Sequence, residues 1–148
     1  VRNALWGNGI LFRNSRSIDL KTYIRNVPRK GRGVFAVSEI GSGELIFTNS
    51  VVEIPVSQVA AIRDTVLSLY VFDWPGPRQN KKSVKWSRCC VVLGEGMLIN
   101  HSEAPNSCWE IDKESRTVSF FANRRIEKDE EITHNYHWAV ELTSKFIE

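Results

Sequence analysis

The chain has 148 residues, 42% of them hydrophobic and 25% charged, with a formal net charge of +3. That length predicts one domain able to bury about two-thirds of its unfolded surface. No apolar run approaches the ~18 residues of a membrane span, no basic-then-apolar leader is visible, and so weak a net charge does not demand a polyanionic partner.

Short runs rich in β-branched residues dominate, which predicts many short strands and little helix. Residues 33–37 (GVFAV) read as a strand, closed by a turn at Gly41-Ser42-Gly43. Residues 44–56 (ELIFTNSVVEIPV) resume strand chemistry up to Pro55. From Ser57 the pattern changes, because Val59, Ile62, Val66 and Leu69 fall at helical spacing. This predicts one helix of two or three turns with Ser57 as its N-cap. An aromatic stretch (LYVFDW) and a polar loop follow it. Met97-Leu98-Ile99 then reads as a buried strand, stopped by the polar triplet Asn100-His101-Ser102. Each of those three side chains needs a partner or a place at the surface. Ser102 and Asn106 are expected to cap the turn around Pro105. Two more strands are expected, at residues 116–122 (RTVSFFA) and 130–136 (EEITHNY).

Cys89, Cys90 and Cys108 form no CxxC pair and leave no His at zinc-ligand spacing. An odd count with two adjacent residues argues against a disulfide framework, so reduced thiols, a reducing intracellular compartment and no metal are expected. Basic residues cluster at Arg25 to Arg32, at Arg78 to Arg88 and at Arg124-Arg125. Scattered surface charge is the simplest account of them.

Two short motifs mislead. Residues 31–36 (GRGVFA) satisfy the dinucleotide pattern G-x-G-x-x-A, with Glu53 twenty residues beyond Gly33. That site needs a helix beginning at the glycines, whose free N–H groups hold a pyrophosphate. Here a β-rich run follows instead. Asn100-His101-Ser102 also matches a glycosylation sequon, which its place behind an apolar run disfavours.

Three stretches, KGRGVFAVSEIGSGELI, GMLINHSEAPNSCWEID and EEITHNYHW, together resemble the SET domain, the β-rich family of protein-lysine methyltransferases that use S-adenosylmethionine. The resemblance covers about residues 28–138, with 139–148 as a tail, and implies that residues 1–148 are a single SET domain. It implies a mainly β fold, a SET-type β-clip of several short sheets with knot-like threading of the C-terminal segment and little helix. By the same resemblance, Lys30, Gly31, Arg32 and Gly33 lie against the cofactor's methionine end. Asn100 and His101 bind the cofactor, and Tyr136 contacts it at the methyl-transfer point as the catalytic residue. Trp109 and Trp138 fall where relatives place aromatic residues around the substrate lysine. Tyr70, with Phe72 and Trp74, is a weaker candidate for that channel.

The departures also carry expectations. Many members have cysteine where Glu103 stands, and a cysteine-rich tail that binds zinc and closes the pocket. The sequence predicts no such tail here, so residues 139–148 should cover the pocket differently, or a second subunit should complete it. Asn135 replaces a common aspartate. The implied partner is a protein or peptide presenting a lysine, with no membrane and no direct nucleic-acid binding, and a homodimer is open. The competing readings are a SET-like cofactor- or peptide-binding module without catalysis, and a small basic nucleic-acid-binding domain, which the modest charge disfavours.

Overall fold

The computed structural model describes residues 20–74 and 89–136. Within them the chain forms strands β1 (Thr22–Val27), β2 (Gly31–Ala36) and β3 (Leu45–Ile54), helix α1 (Val56–Arg63), then β4 (Val71–Asp73) and β5 (Cys89–Leu93). Strands β6 (Asn100–His101), β7 (Ser107–Asp112), β8 (Thr117–Ala122) and β9 (Glu131–His134) complete the order. Two sheets result: a four-stranded one in the order β1-β2-β9-β6 and a five-stranded one in the order β4-β5-β3-β8-β7. Every pairing is antiparallel except β6 with β9, which run parallel.

The alternation that marks a half-buried strand is plainest in β8. Val118, Phe120 and Ala122 point inward, while Thr117, Ser119 and Phe121 face outward. Phe120 is fully buried and meets Val34, Ala36 and Ile132 of the other sheet in one core. Ile40 and Ile126 close that core through a reciprocal pair of backbone hydrogen bonds at 2.9 Å. Val59 of α1 covers Val71 and Cys89 in a second, smaller apolar cluster, joined by Ile54, Ile62 and Val91. In β2, Phe35 is buried beneath the Arg25 guanidinium, which stands 3.9 Å from its ring centre.

The structure revises three local expectations. The helix has the expected two turns but begins earlier: Pro55 is the N-cap, no side chain caps it, and Ser57 lies inside the first turn. It stops at Arg63 because Thr65 turns extended (φ −119°, ψ 161°) and donates its hydroxyl to the Ile62 carbonyl at 2.7 Å. Such a local side-chain bond competes with continued helix. Val66 and Leu69 therefore belong to a separate 3-10 turn, Val66–Tyr70, and Val66 is exposed. The apolar run before the Asn-His pair is likewise no strand. Gly94, at φ 139°, ends β5, and a 3-10 turn at Glu95–Leu98 follows. Asn49 pins that turn by accepting the Gly96 N–H at 2.9 Å. Finally, Asn106 does not cap the Pro105 turn. It is 1% exposed and reaches β9 instead, whereas Ser102 does accept the Ala104 N–H at 3.1 Å.

Candidate functional site

The site forms where β9 meets β6. Only two residue pairs register across this seam, Asn100 with Thr133 and His101 with His134, extended by the Ser102 N–H to the His134 carbonyl at 3.1 Å. So short a parallel pairing is weak by itself, and polar side chains reinforce it from both sides. Asn106 donates to the Glu131 carbonyl at 2.8 Å and accepts the Thr133 N–H at 2.8 Å. Ser107 donates to the Thr133 carbonyl at 2.9 Å. Glu130 accepts from Asn106 at 3.0 Å and from Arg124 at 2.7 Å.

Tyr136 stands two residues past β9 and is held at both ends. Its hydroxyl donates to the Ile99 carbonyl at 2.7 Å, and its backbone N–H donates to His101 Nδ1 at 3.1 Å. The ring centres of His134 and His101 lie 4.7 and 5.3 Å away. Burial, with smaller contributions from the neighbouring Tyr70 and Glu131, pushes the Tyr136 hydroxyl up to about 12. It therefore stays protonated at neutral pH.

Asn100 knits three strands together. Its amide donates to the Arg32 carbonyl at 3.2 Å and to Glu131 Oε1 at 2.7 Å. Gly33 permits this approach, because a Cβ there would lie 3.0 Å from the Asn100 amide and 2.7 Å from Glu131 Oε1. Gly31 differs: among the described residues nothing stands within 4 Å of its Cβ position, so they leave the backbone beside it open. Lys30, Gly31 and Arg32 are exposed on the β1–β2 hairpin, and among the described residues neither cation makes an ion pair. The structure thus brings Gly33, Asn100, His101 and Tyr136 together, with Lys30 to Arg32 along the adjoining rim.

The aromatic residues form a chain leading to Tyr136. Phe72 stacks on His134 at 5.4 Å with planes 16° apart, and Trp109 meets Phe72 edge-on at 5.7 Å. Tyr70 ends the 3-10 turn, close enough to bear on the Tyr136 hydroxyl. Trp74 is instead 6% exposed in the core. Trp138 and the tail 139–148 lie outside the described residues, as does the C-terminal threading.

Sequence reasoning missed Glu131, His134 and Asn106 as site-building residues. Glu131 and His134 sat in plain view inside the E-I-T-x-x-Y stretch, but nothing local says that Glu131 reaches Asn100. A cavity of about 170 Å³, lined by Glu53, Ile54, Pro55, Val56, Trp74 and Cys89, includes Trp74 of the channel candidates but neither Tyr136 nor any of the residues expected to bind the cofactor. Among the described residues no group of three His, Cys, Asp or Glu is disposed to hold a metal ion, and no helix is long and apolar enough to cross a membrane.

Comparison with known proteins identifies the family. The SET domain pattern matches residues 31–137. A Schizosaccharomyces pombe histone-lysine N-methyltransferase, specific for H3 lysine-37, is 30% identical over 114 residues, covering 76% of this chain and 71% of that protein. The crystal structure of a Plasmodium falciparum protein described as a putative histone methyltransferase superposes with a TM-score of 0.63 at 27% identity, covering 84% of this chain and 99% of that one. Arabidopsis thaliana SUVH6, solved in complex with SAM, shares the fold at a TM-score of 0.62 and 23% identity, over 82% of this chain and 28% of its own. The chain belongs to the SET-domain family.

Proposed function

We infer that this SET domain is an S-adenosylmethionine-dependent protein-lysine N-methyltransferase, and we propose Tyr136 as its catalytic residue. The observation that carries the assignment of Tyr136 is its double anchorage, hydroxyl to Ile99 and backbone to His101, beside the Asn100 amide. The residues fit the cofactor: open backbone beside Gly31 and the cations Lys30 and Arg32 suit its carboxylate end, and Asn100 and His101 flank the same seam. S-adenosylmethionine supplies an electrophilic methyl group on a sulfonium.

The protein's task is to deliver a neutral amine in line with that methyl group. A free lysine has a pKa near ~10.4, and desolvation in an apolar channel disfavours its charged form. Phe72, Trp109 and Tyr70 supply apolar and aromatic surface near Tyr136 for the alkyl stem and, after transfer, for a methylated ammonium. Because Tyr136 is protonated and donates to Ile99, its oxygen offers lone pairs to the amine and to the polarised methyl hydrogens. It orients the attack and does not act as a phenolate base.

We propose a lysine in a histone tail as the substrate, by analogy with the Schizosaccharomyces pombe histone-lysine N-methyltransferase. That places the enzyme in a reducing interior, where Cys89, Cys90 and Cys108 remain thiols. The test is incubation with labelled S-adenosylmethionine and a panel of histones and lysate proteins, with mass spectrometry of the products. Methylated lysine is the expected outcome, and cofactor binding without transfer to any substrate would favour a binding module.

A further inference from the structure

We propose that Glu103 and His101 form a hydrogen-bonded relay that positions Tyr136, so that the tautomer of one half-buried imidazole sets one of the anchors on that tyrosine's main chain. This deepens the methyltransferase reading and rests on it.

A neutral imidazole has one donor and one acceptor nitrogen, and the charged ring has two donors. Tyr136 N–H points at His101 Nδ1 at 3.1 Å, so Nδ1 must carry the lone pair and Nε2 the proton. That proton faces Glu103 Oε1 at 3.0 Å. A carboxylate only accepts, so the two contacts select the same tautomer independently. Protonation of Nδ1 then has opposite effects at the two ends of the ring. The Glu103 contact becomes an ion pair and strengthens, while the Tyr136 contact sets one N–H against another and is lost.

The consequence falls on Tyr136 because its two anchors flank Asn100 on one segment: Ile99 holds the hydroxyl and His101 holds the main chain. Losing the second anchor removes the hold on the Tyr136 main chain from this segment, while the hydroxyl keeps its bond to Ile99 and the ring its contact with His134. Among the described residues, the titratable groups around the imidazole are Glu103 on its own loop, and His134 and Tyr136 on and just beyond β9. Glu131 and Tyr70 act on Tyr136 from behind. Glu103 is the one whose side chain bonds the imidazole. Its side chain is 80% exposed, so its influence is screened and small, yet its direction is fixed.

The test is nitrogen-edited NMR of the three imidazoles in the full chain, with the Tyr136 amide followed through a pH titration. The Nε2–H tautomer of His101 is expected at neutral pH, and the Tyr136 amide should titrate with the same midpoint as that ring. Glu103→Gln keeps an acceptor oxygen at Nε2 and should preserve the tautomer, whereas Glu103→Ala removes that acceptor and should raise the share of Nδ1–H, with a matching shift of the Tyr136 amide resonance. An Nδ1–H tautomer in the native chain, a Tyr136 amide indifferent to the ring, or an unchanged tautomer in Glu103→Ala would each overturn the relay. The spectra need no turnover, so a protein that transfers no methyl group still reports on the relay. An active enzyme with the wrong tautomer sinks the relay alone.

Discussion

The five-stranded sheet and the β6–β9 seam are held together by different physics. In the sheet, β3 pairs with β5 over five residues and with β8 over five, and Phe120, Val92 and Val118 bury apolar surface without any polar partner. The seam has two register pairs and depends on Asn100, Asn106, Ser107, Glu130 and Glu131 to close. Apolar burial is non-directional and tolerates small shifts. A hydrogen bond in a buried place is directional, and losing one partner orphans the other. The apolar half of the molecule is therefore forgiving, and the half proposed to carry the chemistry is exacting.

Four substitutions probe that contrast. Phe120→Ala removes the ring that fills the joint between the sheets and should destabilise by about 3–5 kcal/mol, measured by urea unfolding. A loss below about 1 kcal/mol would mean that the sheet core is not continuous with the other sheet. Tyr136→Phe should cost roughly 100- to 1,000-fold in methyl transfer, while cofactor affinity in a titration changes little. Undiminished transfer would remove Tyr136 from the mechanism.

Asn106→Ala strands the buried Thr133 N–H and should cost about 2 kcal/mol, with a parallel loss of cofactor affinity because the seam loosens. Stability lost with affinity intact would show the seam to be dispensable for binding. The smallest effect is a pH dependence. The Arg124 guanidinium, helped by the Glu127 N–H and the Asn106 amide and opposed by burial, holds the Glu130 carboxyl down at about 2. A folded-state value below the unfolded one stabilises the fold above the ordinary carboxylate range, and that stability drains away as pH falls toward about 2. Partial exposure limits the effect to on the order of 1 kcal/mol. Glu130→Gln should flatten that part of the acid-unfolding curve, and an unchanged curve would show the pair to be ornamental.

Much of this was legible in the sequence because it is local. The alternation of Thr117 to Ala122 announces β8, and the spacing of the Gly-x-Gly, Asn-His and E-I-T-x-x-Y stretches carries the family resemblance. What stayed hidden depends on partners far along the chain. β1, whose Thr22–Val27 run mixes polar and apolar residues, becomes a strand by pairing with β2. Met97 and Leu98 look like strand residues, yet Gly94 and the Asn49 side chain, 47 positions upstream of Gly96, turn them aside. Asn106 looks like a turn residue beside Pro105. Its real partners, Glu131 and Thr133, are 25 and 27 positions away.

The brevity of the parallel pairing has a consequence for the order of folding. Its two strands are separated by the whole β7–β8 hairpin, so the loop between them must close before either contributes anything. The hairpin and the five-stranded sheet can form first, from contacts nearer in sequence, and β9 docks against β6 as a late step. As the cofactor site proposed above, a seam that closes last is a natural point of coupling between ligand and fold. Cofactor binding should therefore slow amide hydrogen exchange in β6 and β9 far more than in β3 or β8. Uniform protection across both sheets would instead mean that the molecule opens as one unit.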